Sequence, residues 1–568
     1  MDSQWFSQRL YAGKTDRQKK IKWVLVAFVA LLVSSCSGGG GGGNNNQGQG
    51  NSLPTGPQPV VFIANNGSLT AVYSVLDDAS ALPVRLDTGL DGEPNMPLPR
   101  NFEVSPNRQW VAIFVQDVVG GGARVYIASM DGSLFHQVLA NTFTLEDYQW
   151  SPTGDALVYT SDQETPGVHE VYLAMAEDGS VSKINAPVTV FDNEDFETPI
   201  WSPDGRYVLL QVRSLATGEI DRFEVFDTQN PTATPIDITS DVPKPMELVL
   251  SVGWSPDSQQ VAFIYDSTTL STRELWASLV DGSGSIQLNP DPTAAGTGVL
   301  SYQWAPDSTQ IAYISKQRNL ENSEVFVVDA DGTNPTIQHS PFADSSTRGA
   351  RDVKWSPSGE YLAYTSNHGV NFASYQLYVV TDRLDNRDAA VLQTTVDGSV
   401  DRWEWMPDSS GIVYMGDSFG PTPMLYIKEP LELHSPTSLP ITEDRLSSFG
   451  SLIREDVTEF KISPDNIHVA YMQLHPSISN SQLRVNPIGG VRADITDLTV
   501  AASQAKVDVY HWSPAGDRIM YTVTGTLSGG GTSSNVFVED VDGSNRVSLN
   551  GNGAGLTVLV GGLAKASY

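Results

Sequence analysis

Short runs in which apolar and polar residues alternate recur along most of the chain, for example Val261-Ala-Phe-Ile-Tyr265, Ile311-Ala-Tyr-Ile-Ser315, Tyr361-Leu-Ala-Tyr-Thr365 and Ile519-Met-Tyr-Thr-Val523. A period of two sends successive side chains to opposite faces of a strand, so each run predicts a β-strand. Each run also follows a fixed signal. Trp150-Ser-Pro, Trp201-Ser-Pro-Asp-Gly205, Trp254-Ser-Pro-Asp, Trp304-Ala-Pro-Asp, Trp355-Ser-Pro, Trp405-Met-Pro-Asp and Trp512-Ser-Pro carry it, and Val104-Ser-Pro and Ile462-Ser-Pro-Asp are degenerate copies. The nine anchors stand 46, 51, 53, 50, 51, 50, 57 and 50 residues apart, a register that marks an internal repeat.

A second apolar run follows a polar loop in each repeat, as in Val171-Tyr-Leu-Ala-Met175, Val325-Phe-Val-Val328 and Val536-Phe-Val538. It ends near Asp131-Gly132, Asp178-Gly179, Asp281-Gly282, Asp331-Gly332 or Asp542-Gly543, which lie 27, 28, 27, 27 and 30 residues after their anchors. Asp-Gly supplies the positive φ angles of a tight hairpin. Four antiparallel strands in about fifty residues make a propeller blade. The repeated Trp is large enough to fill the space between neighbouring blades. Residues 60 to 88 read as the last three strands of a blade, and Leu556-Thr-Val-Leu-Val560 as its missing first, so pairing the two would close a ring. The count is then ten units, in one ring or in two smaller ones. The long interval from Met406 to Ser463 is the expected place of an insertion or break.

Trp-Ser-Pro-Asp-Gly, then Ile/Val-Ala-Tyr, then Asp-Gly resembles the TolB-like propeller repeat family over residues 59–568. The resemblance implies an all-β fold of four-stranded blades. For activity it is unspecific, because that family spans envelope proteins, propeller domains of prolyl-oligopeptidase-type peptidases and a few sugar-acid lyases.

Ahead of the repeats, the eleven-residue apolar run 23–33 follows a basic segment and is too short to span a bilayer, which marks a secretory signal over residues 1–35. Val33-Ser34-Ser35-Cys36 resembles the lipobox of bacterial lipoproteins. That resemblance implies cleavage between Ser35 and Cys36, lipidation of Cys36, the one cysteine in the chain, and, with Ser37 next, sorting to the outer membrane. Gly38 to Gly43 and the Asn/Gln-rich stretch after them make residues 36–58 a flexible tether.

Charge narrows the function classes. The chain has 34 Lys+Arg against 66 Asp+Glu, a net charge of −32, and removal of residues 1–35 leaves −36. Such a surface repels phosphate backbones, so nucleic acid is not an expected partner. Candidate chemistry is thin. Gly416-Asp-Ser418-Phe-Gly420 matches a nucleophile elbow in sequence but follows a strand of a repeat, with no α/β context and more blades downstream. Asp329-Ala-Asp331-Gly332-Thr-Asn334 and Asp540-Val-Asp542-Gly543-Ser-Asn545 offer oxygen ligands to calcium but lack the twelfth-position Glu, and turn chemistry accounts for them. His169, His368 and His475 fall beside equivalent loops in separate blades, too dispersed for a short metal-ligand spacing. Gly120-Gly-Gly122 and Gly529-Gly-Gly531 read as loop tips. The expectation is therefore a lipid-anchored, non-enzymatic envelope propeller that needs no cofactor or metal. It would bind an envelope protein or a glycan and touch the membrane through its anchor only. The alternative is a metal-dependent polysaccharide lyase or hydrolase with its site at the channel mouth.

Overall fold

The chain divides into two units, Met1–Gln47 and Gly48–Tyr568. The structure, a computed structural model, describes residues 57–567 apart from 66–69, 92–97, 117–122, 187–193, 244–245, 268–271, 291–296, 317–321, 334–336, 339–348, 368–373, 381–389, 393–398, 417–423, 429–438, 441–444, 447–451, 454–455, 475–480, 489–495, 498–505, 527–531, 551–556 and 559–565. The signal, Ser35, Cys36 and the tether up to residue 56 lie outside the described residues, as do Ser418, His368, His475 and both triple-glycine segments.

The described part of the second unit is built from strands, with one 3-10 turn at Thr88–Leu90. It is a β-propeller. One blade shows the pattern: Leu145–Trp150, Ala156–Thr165, Val168–Met175 and Val181–Lys183 pair antiparallel in the order fourth, third, second, first. Blades 2 to 10 span 98–143, 145–183, 194–237, 246–287, 298–338, 350–392, 400–440, 456–497 and 506–548. Blade 1 takes three strands, Pro59–Asn65, Thr70–Leu76 and Val84–Arg85, from the start of the unit. Its inner edge comes from the other end of the chain: Thr557–Val558 pairs with Ala64 and Asn65, and Ala566–Ser567 pairs with Val61 and Phe62.

A four-stranded sheet with apolar residues on both faces must be covered on both sides. Here ten apolar clusters do this, each drawn from two consecutive blades, and one of them joins blade 10 to blade 1 through Phe62, Tyr73, Met520 and Val538. This cyclic order settles the choice between one ring and two in favour of one. The long interval after blade 8 holds an extra hairpin, Arg445–Leu446 with Leu452–Ile453, and Met406, Val413, Phe460 and Tyr471 still seal blade 8 against blade 9.

First strands lie at the hub, since first strands of successive blades touch: Asn101 Nδ2 donates to Tyr148 Oη at 3.1 Å, and the Trp201 N–H donates to Gln149 Oε1 at 3.1 Å. Six of the seven anchor tryptophans are buried at the blade interfaces, and Trp512 is half-buried there. Nε1 of Trp150, Trp201, Trp254, Trp355, Trp405 and Trp512 donates to the carbonyl of Glu103, Gln149, Ile200, Gln303, Lys354 and Lys461 respectively, at 3.1–3.3 Å. Each acceptor is the residue just before the preceding blade's anchor. Trp304 is equally buried but its Nε1 has no hydrogen-bond partner among the described residues.

The turn after each anchor explains the Ser-Pro-Asp signal. The buried Ser202 Oγ accepts the Tyr207 N–H at 2.8 Å and donates to Asp204 Oδ1 at 2.6 Å, which closes the hairpin. The fifth turn position has positive φ in all nine copies, at Arg108, Gly154, Gly205, Ser258, Ser308, Gly359, Ser409, Asn466 and Gly516. Where Ser stands there, its hydroxyl accepts an N–H from the preceding blade's turn: Asp204 to Ser258 at 3.1 Å, Asp257 to Ser308 at 2.9 Å and Ser358 to Ser409 at 2.8 Å. Where Gly154 stands, an added Cβ would lie 2.7 Å from the Asn107 nitrogen.

Trp355→Phe and Trp304→Phe remove similar apolar area, but only the first leaves a half-buried carbonyl, that of Gln303, without the indole donor. Trp355→Phe is expected to cost about 1–2 kcal/mol more than Trp304→Phe in urea unfolding of the full chain; equal losses would remove the indole bond from the account.

Candidate functional site

Antiparallel order sorts the connections by face. The anchor turns and the third-to-fourth-strand turns share one face, and the second-to-third-strand and blade-to-blade connections share the other. The anchor turns hold five or six residues throughout. On the opposite face the second-to-third connection runs from two residues, between Thr165 and Val168, to nine, between Ser366 and Gln376. The third-to-fourth-strand turns on the anchor face run from five residues, between Ser129 and Phe135, to ten, between Lys428 and Leu439, and the blade-to-blade connections on the other face run from one, between Phe143 and Leu145, to fifteen, between Pro440 and Asp456.

A dense polar node on that other face, the loop face, joins blades 3 and 4. His169, near the start of the third strand of blade 3, places Nδ1 3.2 Å from Asp195 Oδ1 and Nε2 3.1 Å from Thr144 Oγ1, with Glu146 3.8 Å away. Asp195 belongs to the next blade and also accepts Arg213 Nη2 at 2.5 Å; Arg213 Nε meets Glu197 at 3.2 Å. Asp162 Oδ1 accepts both the N–H and the hydroxyl of Thr144, at 2.7 and 2.8 Å, and Oδ2 accepts the Gly167 N–H at 2.9 Å. The hydrogen bond to Asp195 raises the His169 pKa above its ordinary value, against the opposing pull of burial. Burial pushes the Asp195 carboxyl up, but His169 and Arg213 outweigh it and hold it below the usual carboxylate range. Thr144, His169 and Asp195 thus stand in the order of a nucleophile, base and acid, yet the Thr144 proton is directed to Asp162 rather than to the imidazole. Sequence reading singled out His169 but not its partners. Thr144, Asp162 and Asp195 come from separate strands and from the next blade, and no short spacing announces them.

Of the three histidines weighed as a metal set, His169 alone is described, and among the described residues no group of three His, Cys, Asp or Glu could hold a metal ion. The Asp-Gly aspartates bond within their own turns: Asp131, Asp178, Asp281, Asp331 and Asp542 accept the N–H two residues on at 2.8–3.0 Å. The Ser129 and Ser133 hydroxyls hold Asp131 down to about 2. The glycine of the pair has a second duty that the sequence did not disclose. A Cβ at Gly282 would lie 2.8 Å from Ile236 on the preceding blade's fourth strand, and Gly132 and Gly332 meet Val84 and Ile286 in the same way. Ser418 lies outside the described residues. The strand before it ends at Gly416 and pairs antiparallel with Met424–Lys428, the setting of a blade hairpin.

At the hub, side chains cover the free edges of first strands. Gln303 Oε1 accepts the Trp355 N–H at 2.8 Å, Lys354 Nζ donates to the Trp403 carbonyl and to Glu404 at 2.9 Å, and Lys461 Nζ donates to the Tyr510 carbonyl at 2.7 Å. Burial, with Arg402 nearby, lowers the Lys461 pKa, although Glu459 opposes it. Burial and the Lys461 charge together hold the His511 imidazole down to about 4.

No family model matches the chain, and no curated protein matches it. Solved structures do. A crystal structure of a eukaryotic initiation factor is similar at 14% identity and TM-score 0.46, over 78% of this chain and 96% of that one. Dipeptidyl peptidase 4 of Porphyromonas gingivalis is similar at 15% identity and TM-score 0.45, over 72% of this chain and 60% of its own. A prolyl endopeptidase is similar at 11% identity and TM-score 0.37, over 70% of this chain and 54% of its own. The chain thus spans little more than half the length of the two peptidases. The expectation of a non-enzymatic chain is corrected on this finding: two of the three similar structures are peptidases, so lack of catalysis is not a property to assign here. No activity passes from them to this chain either.

The depressed His511 pKa yields a signed expectation. The unfolded chain takes up this proton near pH 6.5 and the folded chain near 4, so the stability tied to a neutral His511 is whole above about 6.5 and is lost as pH falls toward 4. Between pH 7 and 4.5, His511→Gln is expected to lose on the order of 2 kcal/mol less than the unsubstituted chain in denaturant unfolding; identical losses would contradict this.

Proposed function

We propose that this protein is a TolB-like propeller, held at the bacterial outer membrane through lipid on Cys36, that binds a protein or glycan partner of the envelope with its loop face. The observation that carries the reading is a contrast between the faces: nine anchor turns of five or six residues on one, three of them tied to a neighbouring turn, and blade-to-blade connections of one to fifteen residues on the other. A rigid frame with unequal loops supports selective recognition, because the frame fixes where each loop begins and ends. The lipobox resemblance of residues 33–36 and the tether behind it support the anchor. A flexible chain of some twenty residues reaches on the order of 25 Å, enough to hold a ring off the lipid surface. The net charge of −36 after signal removal supports a basic or neutral partner over an acidic one.

Two measurements test the two halves of this reading. Cys36→Ser is expected to abolish incorporation of labelled palmitate and to move the protein from the membrane to the soluble fraction; unchanged labelling and fractionation would end the lipoprotein reading. A photo-crosslinking residue at exposed Thr217, in the second-to-third-strand connection of blade 4, is expected to trap a discrete adduct in intact cells. The same residue at exposed Gln259, in an anchor turn, is expected to give none. Adducts from Gln259 alone would place recognition on the opposite face.

A further inference from the structure

We propose that Thr144, Asp162, His169 and Asp195 form a pH-operated latch that holds the loop face of blades 3 and 4 together while His169 is an imidazolium and releases it when the proton leaves. The argument is a count of hydrogens. Thr144 has one hydroxyl hydrogen, and Asp162 Oδ1 takes it at 2.8 Å. Thr144 Oγ1 therefore turns a lone pair to His169 Nε2 at 3.1 Å, and Asp195 Oδ1 turns one to Nδ1 at 3.2 Å. Both contacts bond only if both ring nitrogens carry hydrogen, the state of an imidazolium. A neutral imidazole leaves one nitrogen facing an oxygen lone pair. If Nδ1 keeps its hydrogen, Nε2 faces Thr144 and the Glu146 carboxylate at 3.8 Å. Repair needs the Thr144 hydroxyl to swing away from Asp162, which then loses a donor.

Among the described residues, the groups around His169 leave no other cation to replace that proton. Thr144 and Glu146 face it from the entry and first strand of blade 3, Asp162 from the second strand, and Asp195 from blade 4. Arg213, the base in this set, is already engaged by Asp195 and Glu197. The raised His169 pKa agrees in sign: the latch is closed below the ordinary imidazole value of about 6.5 and opens as pH rises through the higher folded value.

What the latch restrains is visible in blade 4. Its first strand is broken into Glu194–Phe196 and Ile200–Trp201, and Asp195 sits in the outer piece, away from the anchor tryptophan. Opening would loosen that piece, leaving its pairing with Val212–Ser214 to hold it, together with the Thr165–Val168 connection of blade 3, both on the loop face. The latch rests on geometry alone; its effect on partner binding rests on the loop-face reading above.

Hydrogen exchange of the full chain followed by mass spectrometry, corrected for intrinsic exchange, tests it between pH 5.5 and 8.5. Protection of segments 144–146 and 194–196 is expected to fall about fivefold or more toward alkaline pH, while the first strand of blade 5 stays level. In His169→Gln the same segments are expected to be weakly protected and independent of pH. Asp195→Asn, which keeps the shape and removes the charge, is expected to move the midpoint to lower pH and serves if the first variant does not fold. Level protection in the unsubstituted chain, or an unchanged slope in a folded variant, would overturn the latch. Crosslinking from Thr217 at the two pH extremes separates the readings: a latch that opens while no adduct forms at either pH leaves the latch standing and overturns the loop-face reading.

Discussion

Everything in this ring depends on the covering of blade faces by other blades. A four-stranded blade with buried residues on both faces cannot satisfy itself, so each needs two neighbours, and a linear row would leave two faces wet. Closure by the C-terminal segment along Pro59–Asn65 removes those ends. Arg518 fastens the same seam by an ion pair at 3.0 Å to Asp77, which is 2% exposed. Layered on the apolar contact are three repeated ties between neighbours: anchor indole to hub carbonyl, turn amide to turn hydroxyl, and fourth-strand side chain against the Asp-Gly glycine. They repeat about every fifty residues because the geometry they bridge repeats.

Much of this was legible in the sequence, for physical reasons. A Trp at fifty-residue spacing can be read because one large side chain must fill the same gap between successive blades. The unpaired run 60–88 and the late run at 556 could be matched because an incomplete blade needs its missing strand, and the structure pairs Thr557–Val558 there. Other features were hidden. The left-handed fifth turn position is occupied by Arg108, Ser258, Ser308, Ser409 and Asn466 in five of nine copies, so no glycine marks it. Three of those serines recover the backbone strain through a bond to the preceding turn, which only the assembled ring reveals. The His169 node was illegible for a related reason. Its members meet only after two blades have packed, and spacing along the chain carries no trace of that meeting.

The functional picture follows from the division of labour between the faces. Anchor turns of nearly constant length on one face and blade-to-blade connections of very unequal length on the other let those connections vary without loosening the ring. On the loop face, acids outnumber bases even where they pair: Arg222 meets Glu194, Asp221 and Glu224, and Lys183 meets Glu164 and Glu170. Surplus carboxylate there matches the net charge of the chain. The His169 node lies in the same region, so the proton that balances it also sets how firmly two blades hold their loops.

The claim on which the rest stands is a single closed ring of ten blades. Electron cryomicroscopy of the purified full-length protein, with class averages viewed along the ring axis, tests it most directly. The account predicts one closed ring with ten blades around one channel and a continuous seam between the first and last. Two smaller rings, or a ring open between blade 10 and blade 1, would contradict it.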